Sequence, residues 1–554
     1  MNIKFTFVHL RERYYLLLAL PLVLAVVFAF IVPYGASFWS AFKGREEITL
    51  WENSAILRVT AFTAKQAFFS VLVSLAIGLP GAWIIGTGKS RFTPLLRALS
   101  AIPFAMPSIL VVLGFVLFYG NSGWLNRLIV AFGDSFGMGT RINPLRILYK
   151  PEAIILAHGF LNFPLVIRLA GDGLERARRA YSSAAGSLGA SPFVTALTVI
   201  LPLSLPALMS AVLLVFLYCY TSFAVVLVLG GGPASTTLPV EIYRHARVFL
   251  NYGNAGALAL VETLIAVSVF MTYVFFWKRS GWIQTGTEER VFEEKQRLLF
   301  PRILIAVYLF FAAVFVFGPI LSIVLESLLY RSSRSAQQVL SLRWWQALGG
   351  SCLPAFFRSL VLAFFSSTLA CALAVSGAMS VKLMEEKGDS GWAGLVRFFA
   401  ASPLVSSGIV LGLGWLIAYR ALETSPFSLV MLHAVIALPF AFNSVSEGFR
   451  SMPSNTLNAA QVCGAGPAKS ILTTALPLSL SRIRSAWGFA ASLSLGELNA
   501  VIMLGLDKWE TLPLYIYRAA GAYRYGSACA AGTLLILACA AGLLLSETGR
   551  KNGS

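Results

Sequence analysis

The chain has 554 residues, of which 57% are hydrophobic and only 12% are charged, with a formal net charge of +19. Its mean hydropathy is +0.76. This composition excludes an ordinary soluble enzyme, because runs of roughly 20 apolar residues, each long enough to cross a bilayer as a helix, recur along the whole sequence. Lipid cannot hydrogen-bond an open backbone, so these runs must be helical. We therefore predict an all-α integral membrane protein.

About twelve membrane-spanning helices are predicted on the length criterion. Lys4, Arg11 and Arg13 precede the first of them and indicate an uncleaved signal-anchor. The Lys and Arg residues of the short loops favour cytoplasmic termini. Because these cations act as topology signals, the net charge does not indicate nucleic acid. The predicted spans lie near residues 14–38, 62–86, 95–119, 152–171, 207–229, 255–277, 303–327, 359–381, 393–419, 427–447, 483–505 and 526–546.

The second predicted span ends in the letters GTGKS. Gly-Lys-Ser is the second half of a phosphate-binding P-loop, which also needs a glycine five residues earlier. That position is Trp83. We therefore interpret Lys89 and Ser90 as the polar end of a membrane helix, and we predict neither a catalytic residue nor an ATPase activity in this chain.

An internal repeat divides the chain into two similar parts. A shift of 275 residues aligns residues 158–205 with 433–480 without a gap, and 15 of the 48 positions are identical. A second match follows, TLPVEIYR against TLPLYIYR. Because an even number of predicted spans separates the copies, both have the same orientation in the membrane, as in a parallel repeat.

The repeat predicts two homologous six-helix bundles. The N-terminal half comprises residues 1–277, and the C-terminal half comprises residues 303–554. The charged stretch at residues 278–302, which includes EERVFEEKQR, is predicted to be a cytoplasmic linker between them.

The most similar segments of the two halves are predicted cytoplasmic loops. In the first loop, Ala184 and Ala185 are predicted to lie in a short helix, and Gly189 can adopt the positive φ that ends a helix. Ser191-Pro192 is a typical cap for a second helix. That helix is predicted to stop before Leu201-Pro202, which would turn the chain back into the bilayer. The second loop has Gly466-Pro467 at the capping position.

In each loop, two alanines are followed by three residues, a glycine and, further on, Leu-Pro. This pattern resembles the "EAA" loop of ABC importer permeases. In that family, the loop forms a coupling helix that sits in a cleft of the ATP-binding subunit. An interfacial loop without a partner is the alternative. Ser183 and Asn458 stand where the family usually has glutamate. The resemblance assigns ATPase coupling to Ser183, Ala184, Ala185, Gly189 and Pro202, and to Asn458, Ala459, Ala460, Gly464 and Pro477.

Four segments resemble a narrower group of permeases: LAHGFLNFPLVIRL, SFAVVLVLGGGPASTTLPVEIY, SLGELNAVIMLG and TLPLYIYR. They are similar to the fused permeases of ABC importers for thiamine or thiamine pyrophosphate, and related ferric-iron permeases share this architecture. The resemblance implies the type I importer fold, a bacterial inner-membrane location and no cofactor. It also implies two ATP-binding subunits and one periplasmic binding protein, which would dock at Gly230–Tyr243 and Gly505–Tyr517.

Ionisable and polar groups inside spans are functional candidates. Glu497, where the resembling permeases carry an acid, is predicted either to line the path of a cationic solute or to be hydrogen-bonded to a neighbouring helix. Tyr220 and Ser222 lie in the corresponding stretch of the first half. His158 and His433 are matched by the repeat. Two such histidines could meet at a metal, but a lone histidine in a membrane helix more often bonds to another helix.

The leading hypothesis is the transmembrane subunit of an ATP-driven importer of thiamine or thiamine phosphates. One alternative keeps the machine but changes the cargo to ferric iron or another small cation. The other is a secondary transporter with 6+6 helices, which would need paired acids or bases in the membrane. The six cysteines include no CxxC pair, and no cluster of hard ligands occurs in the sequence, so no metal site is predicted.

Overall fold

The computed structural model describes residues 14–43, 55–87, 93–135, 145–230, 232, 235–281, 302–331, 338–422, 425–453, 455–505 and 509–551. The helices up to residue 281 are α1 (Tyr14–Val26), α2 (Val32–Lys43), α3 (Ala55–Thr87), α4 (Thr93–Ala105), α5 (Ser108–Tyr119), α6 (Trp124–Ser135), α7 (Pro151–Ser187), α8 (Pro192–Thr195), α9 (Leu201–Tyr220), α10 (Ala224–Leu229), α11 (Leu238–Tyr243) and α12 (Tyr252–Gly281). π-Helical turns at Val27–Ile31, Ala196–Ile200 and Arg244–Val248 join some of them.

The later helices are α13 (Arg302–Leu328), α14 (Arg343–Gln346), α15 (Cys352–Glu386), α16 (Ser390–Ala401), α17 (Gly408–Ala418), α18 (Pro426–Arg450), α19 (Thr456–Val462), α20 (Pro467–Ser470), α21 (Leu476–Gly496), α22 (Asn499–Leu504), α23 (Leu512–Gly521) and α24 (Tyr525–Lys551). A π-helical turn at Ile471–Ala475 precedes α21, and short 3-10 turns lie at Ala347–Gly349, Ser402–Val405 and Arg420–Leu422. Two short antiparallel strands, β1 (Leu329–Arg331) and β2 (Gln338–Leu340), form a hairpin.

The helices form two compact units. The N unit comprises Glu46–His245 and Ala257–Ser341, and the C unit comprises Met1–Arg45, Ala246–Gly256 and Leu342–Ser554. The N unit therefore contains α13, from the C-terminal half of the sequence, and the C unit contains α1 and α2, from the N-terminal half. The division of the repeat at residues 278–302 stays a prediction, and residues 282–301 of that linker lie outside the described residues.

Small residues on α3 allow close packing in the N unit. Gly78, Ala82 and Gly86 lie on one face of α3, against Val166 and Leu174 of α7. A Cβ atom added to Gly78 would lie 2.7 Å from the Cβ atom of Val166. Spacings of four residues between small side chains are typical of membrane helices whose backbones approach closely.

In the C unit, polar side chains hold the first membrane segment. Ser380 donates to the carbonyl of Tyr15 at 2.7 Å. Trp415 Nε1 donates to the carbonyl of Ala29 at 2.9 Å, and the Tyr419 hydroxyl donates to that of Phe28 at 2.8 Å. Both carbonyls belong to the π-helical turn Val27–Ile31, where the regular α-helical ladder is interrupted. These bonds therefore satisfy backbone groups at an irregularity inside a membrane helix.

The all-α membrane fold is confirmed, but the number of spans differs from the predicted twelve. Among the described residues, ten helices are long and apolar enough to cross a bilayer, or eleven if the pair Ser390–Val405 and Gly408–Ala418, bent by 101°, is one span. The predicted span near 95–119 is broken before Pro107, and the one near 483–505 is broken at Glu497. Hydropathy alone does not register such breaks.

Candidate functional site

The two predicted coupling loops adopt the same backbone geometry. We call residues 183–195 the first elbow and residues 458–470 the second elbow. In the first, the N–H of Gly189 donates to Gly186 at 2.9 Å and that of Ala190 donates to Ala185 at 3.1 Å. In the second, Gly464 donates to Gln461 at 2.9 Å and Ala465 donates to Ala460 at 3.1 Å. This pair of bonds is the Schellman motif that ends a helix.

Each Schellman motif depends on its glycine. Gly189 has φ +82° and Gly464 has φ +89°, and a Cβ atom at either position would meet nothing within 4 Å. The left-handed backbone therefore selects glycine here, since steric crowding does not. Pro192 and Pro467 then occupy the first turn of α8 and α20, as predicted.

Both elbows present apolar side chains to solvent at their tips. Leu188 is 89% exposed and Val462 is 88% exposed. Ser183, Ala184, Asn458 and Ala459 are exposed as well. Each elbow thus offers an unburied apolar tip at the end of a helix, which is suited to a complementary protein surface.

The sequence predicted that the second helix of each elbow stops before its Leu-Pro pair, but in the structure it does not. Pro202 and Pro477 lie one residue inside α9 and α21, directly after the matched π-helical turns Ala196–Ile200 and Ile471–Ala475. A proline removes one α-helical hydrogen bond and crowds the carbonyl four residues earlier. The wider π turn absorbs both effects, so residues 192–220 run on as one span.

The elbows differ in how they join the membrane. Ala184 and Ala185 were predicted to lie in a short helix, but they lie in the last turns of the 37-residue helix α7. In the second elbow, α18 ends at Arg450, and α19 is a separate helix of seven residues. Pro453 stands where the repeat places Arg178, and a proline disfavours helical backbone at the residue before it. The first elbow is therefore continuous with a membrane helix, whereas the second is hinged.

A buried lysine holds that hinge. Nζ of Lys382, on α15, donates to the carbonyls of Phe449 at 2.8 Å and Met452 at 3.2 Å. Phe449 lies in the last turn of α18, where carbonyls have no intrahelical partner, and Met452 follows the end of that helix. A cation also interacts favourably with the negative end of the helix dipole. Sequence reasoning missed this residue, although a lysine inside a span is itself a signal.

Glu497 lies at the break between α21 and α22. Its Oε1 accepts a hydrogen bond from the N–H of Ala500 at 3.1 Å, which satisfies a free donor in the first turn of α22. The same oxygen lies 3.1 Å from the position that a Cβ atom on Gly408 would occupy, at the start of α17. The carboxyl thus caps α22 and packs against the start of α17, and both roles considered for this acid stay predictions.

We expect Glu497→Gln to retain transport within about twofold, because the amide oxygen can still accept from Ala500. Glu497→Ala removes the cap and should lower the free energy of unfolding by about 1 kcal/mol. Thermal unfolding in lipid nanodiscs and substrate uptake would be measured for both variants. A large loss of uptake in Glu497→Gln at unchanged stability would instead assign the charge to the substrate path.

His158 is a hydrogen-bonded residue of the N unit. Its Nδ1 lies 3.1 Å from Oε1 of Gln66 and 3.2 Å from Oγ of Ser70. The Gln66 amide donates to Cys219, and the Ser70 hydroxyl donates to the Gln66 carbonyl, so both neighbours present acceptors to the ring. These acceptors favour the tautomer of His158 that carries a proton on Nδ1.

His433 is also hydrogen-bonded through Nδ1, to a different partner in the C unit. Its Nδ1 lies 2.8 Å from Oγ of Ser494, which also accepts from Ser366 at 2.8 Å. Ser494 is the repeat counterpart of Cys219. Both histidines thus bond across to other helices, the commoner of the two roles considered. Among the described residues there is no group of three His, Cys, Asp or Glu side chains that could hold a metal ion.

Tyr220 and Ser222 lie at the break between α9 and α10, where Ser222 is the repeat counterpart of Glu497. Tyr220 is fully buried, and its ring stacks on that of Phe216 at 5.8 Å. The buried carboxyl of Glu262 lies close enough to interact electrostatically with Tyr220. A part in translocation for Tyr220, Ser222, Glu497 and the two histidines stays a prediction. The GTGKS letters from Gly88 onwards lie outside the described residues.

Comparison with known proteins bears directly on this geometry. Residues 78–279 match the family model described as "binding-protein-dependent transport system inner membrane component". This segment includes α7, the first elbow and α9.

Similar curated proteins cover most of the chain. The thiamine transport system permease protein ThiP of Brucella abortus (strain 2308) is 28% identical over 507 residues, which is 89% of this chain and 88% of the relative. ThiP of Escherichia coli K12 is 26% identical over 531 residues, 94% of this chain and 93% of the relative.

A shorter relative matches about half of the sequence. The spermidine/putrescine transport system permease protein PotB of Escherichia coli K12 is 26% identical over 269 residues, 49% of this chain but 94% of the relative. A permease of roughly half the length thus corresponds to one part of this chain. The chain is therefore similar to thiamine transport permeases over most of its length, and residues 78–279 match the inner membrane component of binding-protein-dependent transport systems.

Proposed function

We propose that this permease is the membrane subunit of an ATP-driven importer of thiamine or its phosphates. The observation that carries the proposal is the pair of elbows, with equal hydrogen bonds 275 residues apart and exposed apolar tips. The full-length similarity to thiamine transport permeases supports the cargo. Two ATP-binding subunits would grip the elbows, and a binding protein would deliver the substrate at the opposite end.

The elbows support a mechanical role because each is linked to a membrane helix, the first directly and the second through a hydrogen-bonded hinge. A force on the first elbow moves α7, since α7 runs without a break through Ala184 and Ala185. A force on the second elbow reaches α15 through the bonds of Lys382 to Phe449 and Met452. Closure of the ATP-binding subunits would thereby rock the helices between inward-open and outward-open states. The chain itself performs no covalent step in this scheme.

The test is uptake by proteoliposomes that contain the permease, its ATP-binding subunits and its binding protein. We expect labelled thiamine to accumulate only with ATP on the side of the ATP-binding subunits. Accumulation on a proton or sodium gradient without these subunits would instead identify a secondary transporter.

A polyamine is the second candidate cargo, favoured by the similarity to PotB. Thiamine and polyamines are both small organic cations, so one assay can separate them. Excess spermidine, putrescine or ferric iron should leave thiamine uptake unchanged. Competition by one of these solutes would reassign the cargo but keep the machine.

A further inference from the structure

One helix end in the C unit contradicts the preference that the others obey. Gly189, Gly388 and Gly464 all occupy the left-handed position of a Schellman motif, with φ between +81° and +89°. The end of α23 has the same bonds, from Tyr523 to Ala520 at 3.0 Å and from Arg524 to Ala519 at 2.9 Å. Here the left-handed residue is Tyr523, with φ +57°. A bulky residue in this region is a genuine outlier.

Among the described residues, the ring of Tyr523 contacts that of Tyr525 edge to face, with the ring centroids 6.1 Å apart. The Tyr523 side chain is 81% exposed, so burial contributes little. Strained positions of this kind persist where they serve binding or switching. The tyrosine therefore points to an interaction outside the chain.

Tyr523 lies at the end of the C unit away from the second elbow. Ser485 and Ser492 of α21 donate to Ser546 at 2.7 Å and to Cys539 at 3.2 Å, so α24 runs antiparallel to α21. Because α21 begins at the second elbow, the start of α24 lies at its far end. Tyr523 is two residues before that start.

The N-terminal half of the sequence also has an exposed residue with positive φ just before the matching helix. Leu250 has φ +55°, is 65% exposed and lies two residues before α12, where LNYG matches YRYG. The remaining non-glycine residue with positive φ in the described ranges is Tyr149, also exposed and two residues before α7. Exposed cations stand beside both tyrosines, Lys150 and Arg524.

We propose that these strained turns, Tyr523 and Leu250 above all, are contact points for the substrate-binding protein. The inference rests on the proposed function and on the family, which by its description depends on such a protein. The turns present a tyrosine or a leucine side chain, and exposed cations stand beside the tyrosines. The matching surface on the binding protein is an apolar depression with carboxylates at its rim. Lipid headgroups, which attract aromatic residues, are the competing occupant.

The test uses the complete transporter in nanodiscs, with the purified binding protein that retains labelled thiamine. The half-saturating concentration of that protein for stimulation of ATP hydrolysis is measured for wild type, Tyr523→Gly and Leu250→Gly. We expect an increase of roughly tenfold for Tyr523→Gly and a smaller one for Leu250→Gly. Thermal stability should stay equal or rise, since glycine relieves the strain.

Two further variants make the result specific. Tyr523→Asn keeps a residue that tolerates left-handed backbone, and it should behave like Tyr523→Gly. Phe357→Ala removes a side chain of 61% exposure from α15 and should leave the half-saturating concentration unchanged. A value within twofold of wild type in both glycine variants would overturn the inference, as would a loss of stability that indicates anchoring in lipid. If the wild type itself is not stimulated by any binding protein, the proposed function fails first.

Discussion

A Gly464→Val variant is expected to insert and assemble normally but to hydrolyse ATP without substrate uptake. Gly464 has φ +89°, a conformation that costs other residues about 1–2 kcal/mol and β-branched residues more. No atom lies within 4 Å of an added Cβ, so the effect comes from the backbone alone. The second elbow should lose its Schellman turn, and uptake should fall by roughly tenfold or more.

Gly466 provides the matched control, only two residues away. It has φ −66°, and a Cβ atom there also meets nothing within 4 Å. Gly466→Ser restores the residue that the first elbow has at Ser191. We expect wild-type uptake and ATP hydrolysis from this variant. Full uptake by Gly464→Val, measured beside it in proteoliposomes, would show that the elbow needs no left-handed glycine.

Replacement of Lys382 by methionine is expected to uncouple the second elbow from the membrane helices. Methionine fills a similar volume but donates no hydrogen bond, so the carbonyls of Phe449 and Met452 lose their partner. Hydrogen bonds to charged groups contribute about 1.5–3 kcal/mol each. The variant should unfold at lower temperature in nanodiscs, and it should couple ATP hydrolysis to uptake poorly.

Glu386→Gln separates the carbonyl bonds from the ion pair. The Lys382 ammonium lies 3.7 Å from Oε1 of Glu386, whose side chain is one-third exposed. Such pairs contribute little in water, so we expect near wild-type stability and uptake. Equal damage in Glu386→Gln and Lys382→Met would place the effect in the ion pair rather than in the hinge.

The elbows could be predicted from the sequence because their determinants are local. Gly189 and Gly464 end helices for reasons of backbone geometry, and Pro192 and Pro467 start helices for the same kind of reason. The exact spacing of 275 residues adds support that no single motif supplies. Local rules of this kind need no knowledge of packing.

The effect of Pro202 and Pro477 could not be predicted in the same way. A proline usually ends or kinks a helix, and the sequence contains no direct sign of the π turn that accommodates it. The difference between the two elbows could be predicted from the sequence more readily. Pro453 stands in the position of Arg178, and it marks the end of α18.

The sequence does not show which membrane helices pack against each other. The spans α1 and α13 are both strongly apolar, so hydropathy cannot show that each joins the compact unit formed mainly by the other half. The bond of Lys382 to α18 and that of Trp415 to Ala29 join residues more than 60 and 380 positions apart. Long-range contacts such as these depend on shape rather than on a local pattern.

The reactivity of Cys463 toward a water-soluble maleimide tests most directly whether the elbows bind the ATP-binding subunits. Cys463 is exposed at the tip of the second elbow, and the other five cysteines are buried. We expect rapid labelling of the permease alone and strong protection once the ATP-binding subunits are bound. A Leu188→Cys variant, at the matched position of the first elbow, should show the same protection. Equal labelling of Cys463 with and without the ATP-binding subunits would contradict the coupling role of the elbows.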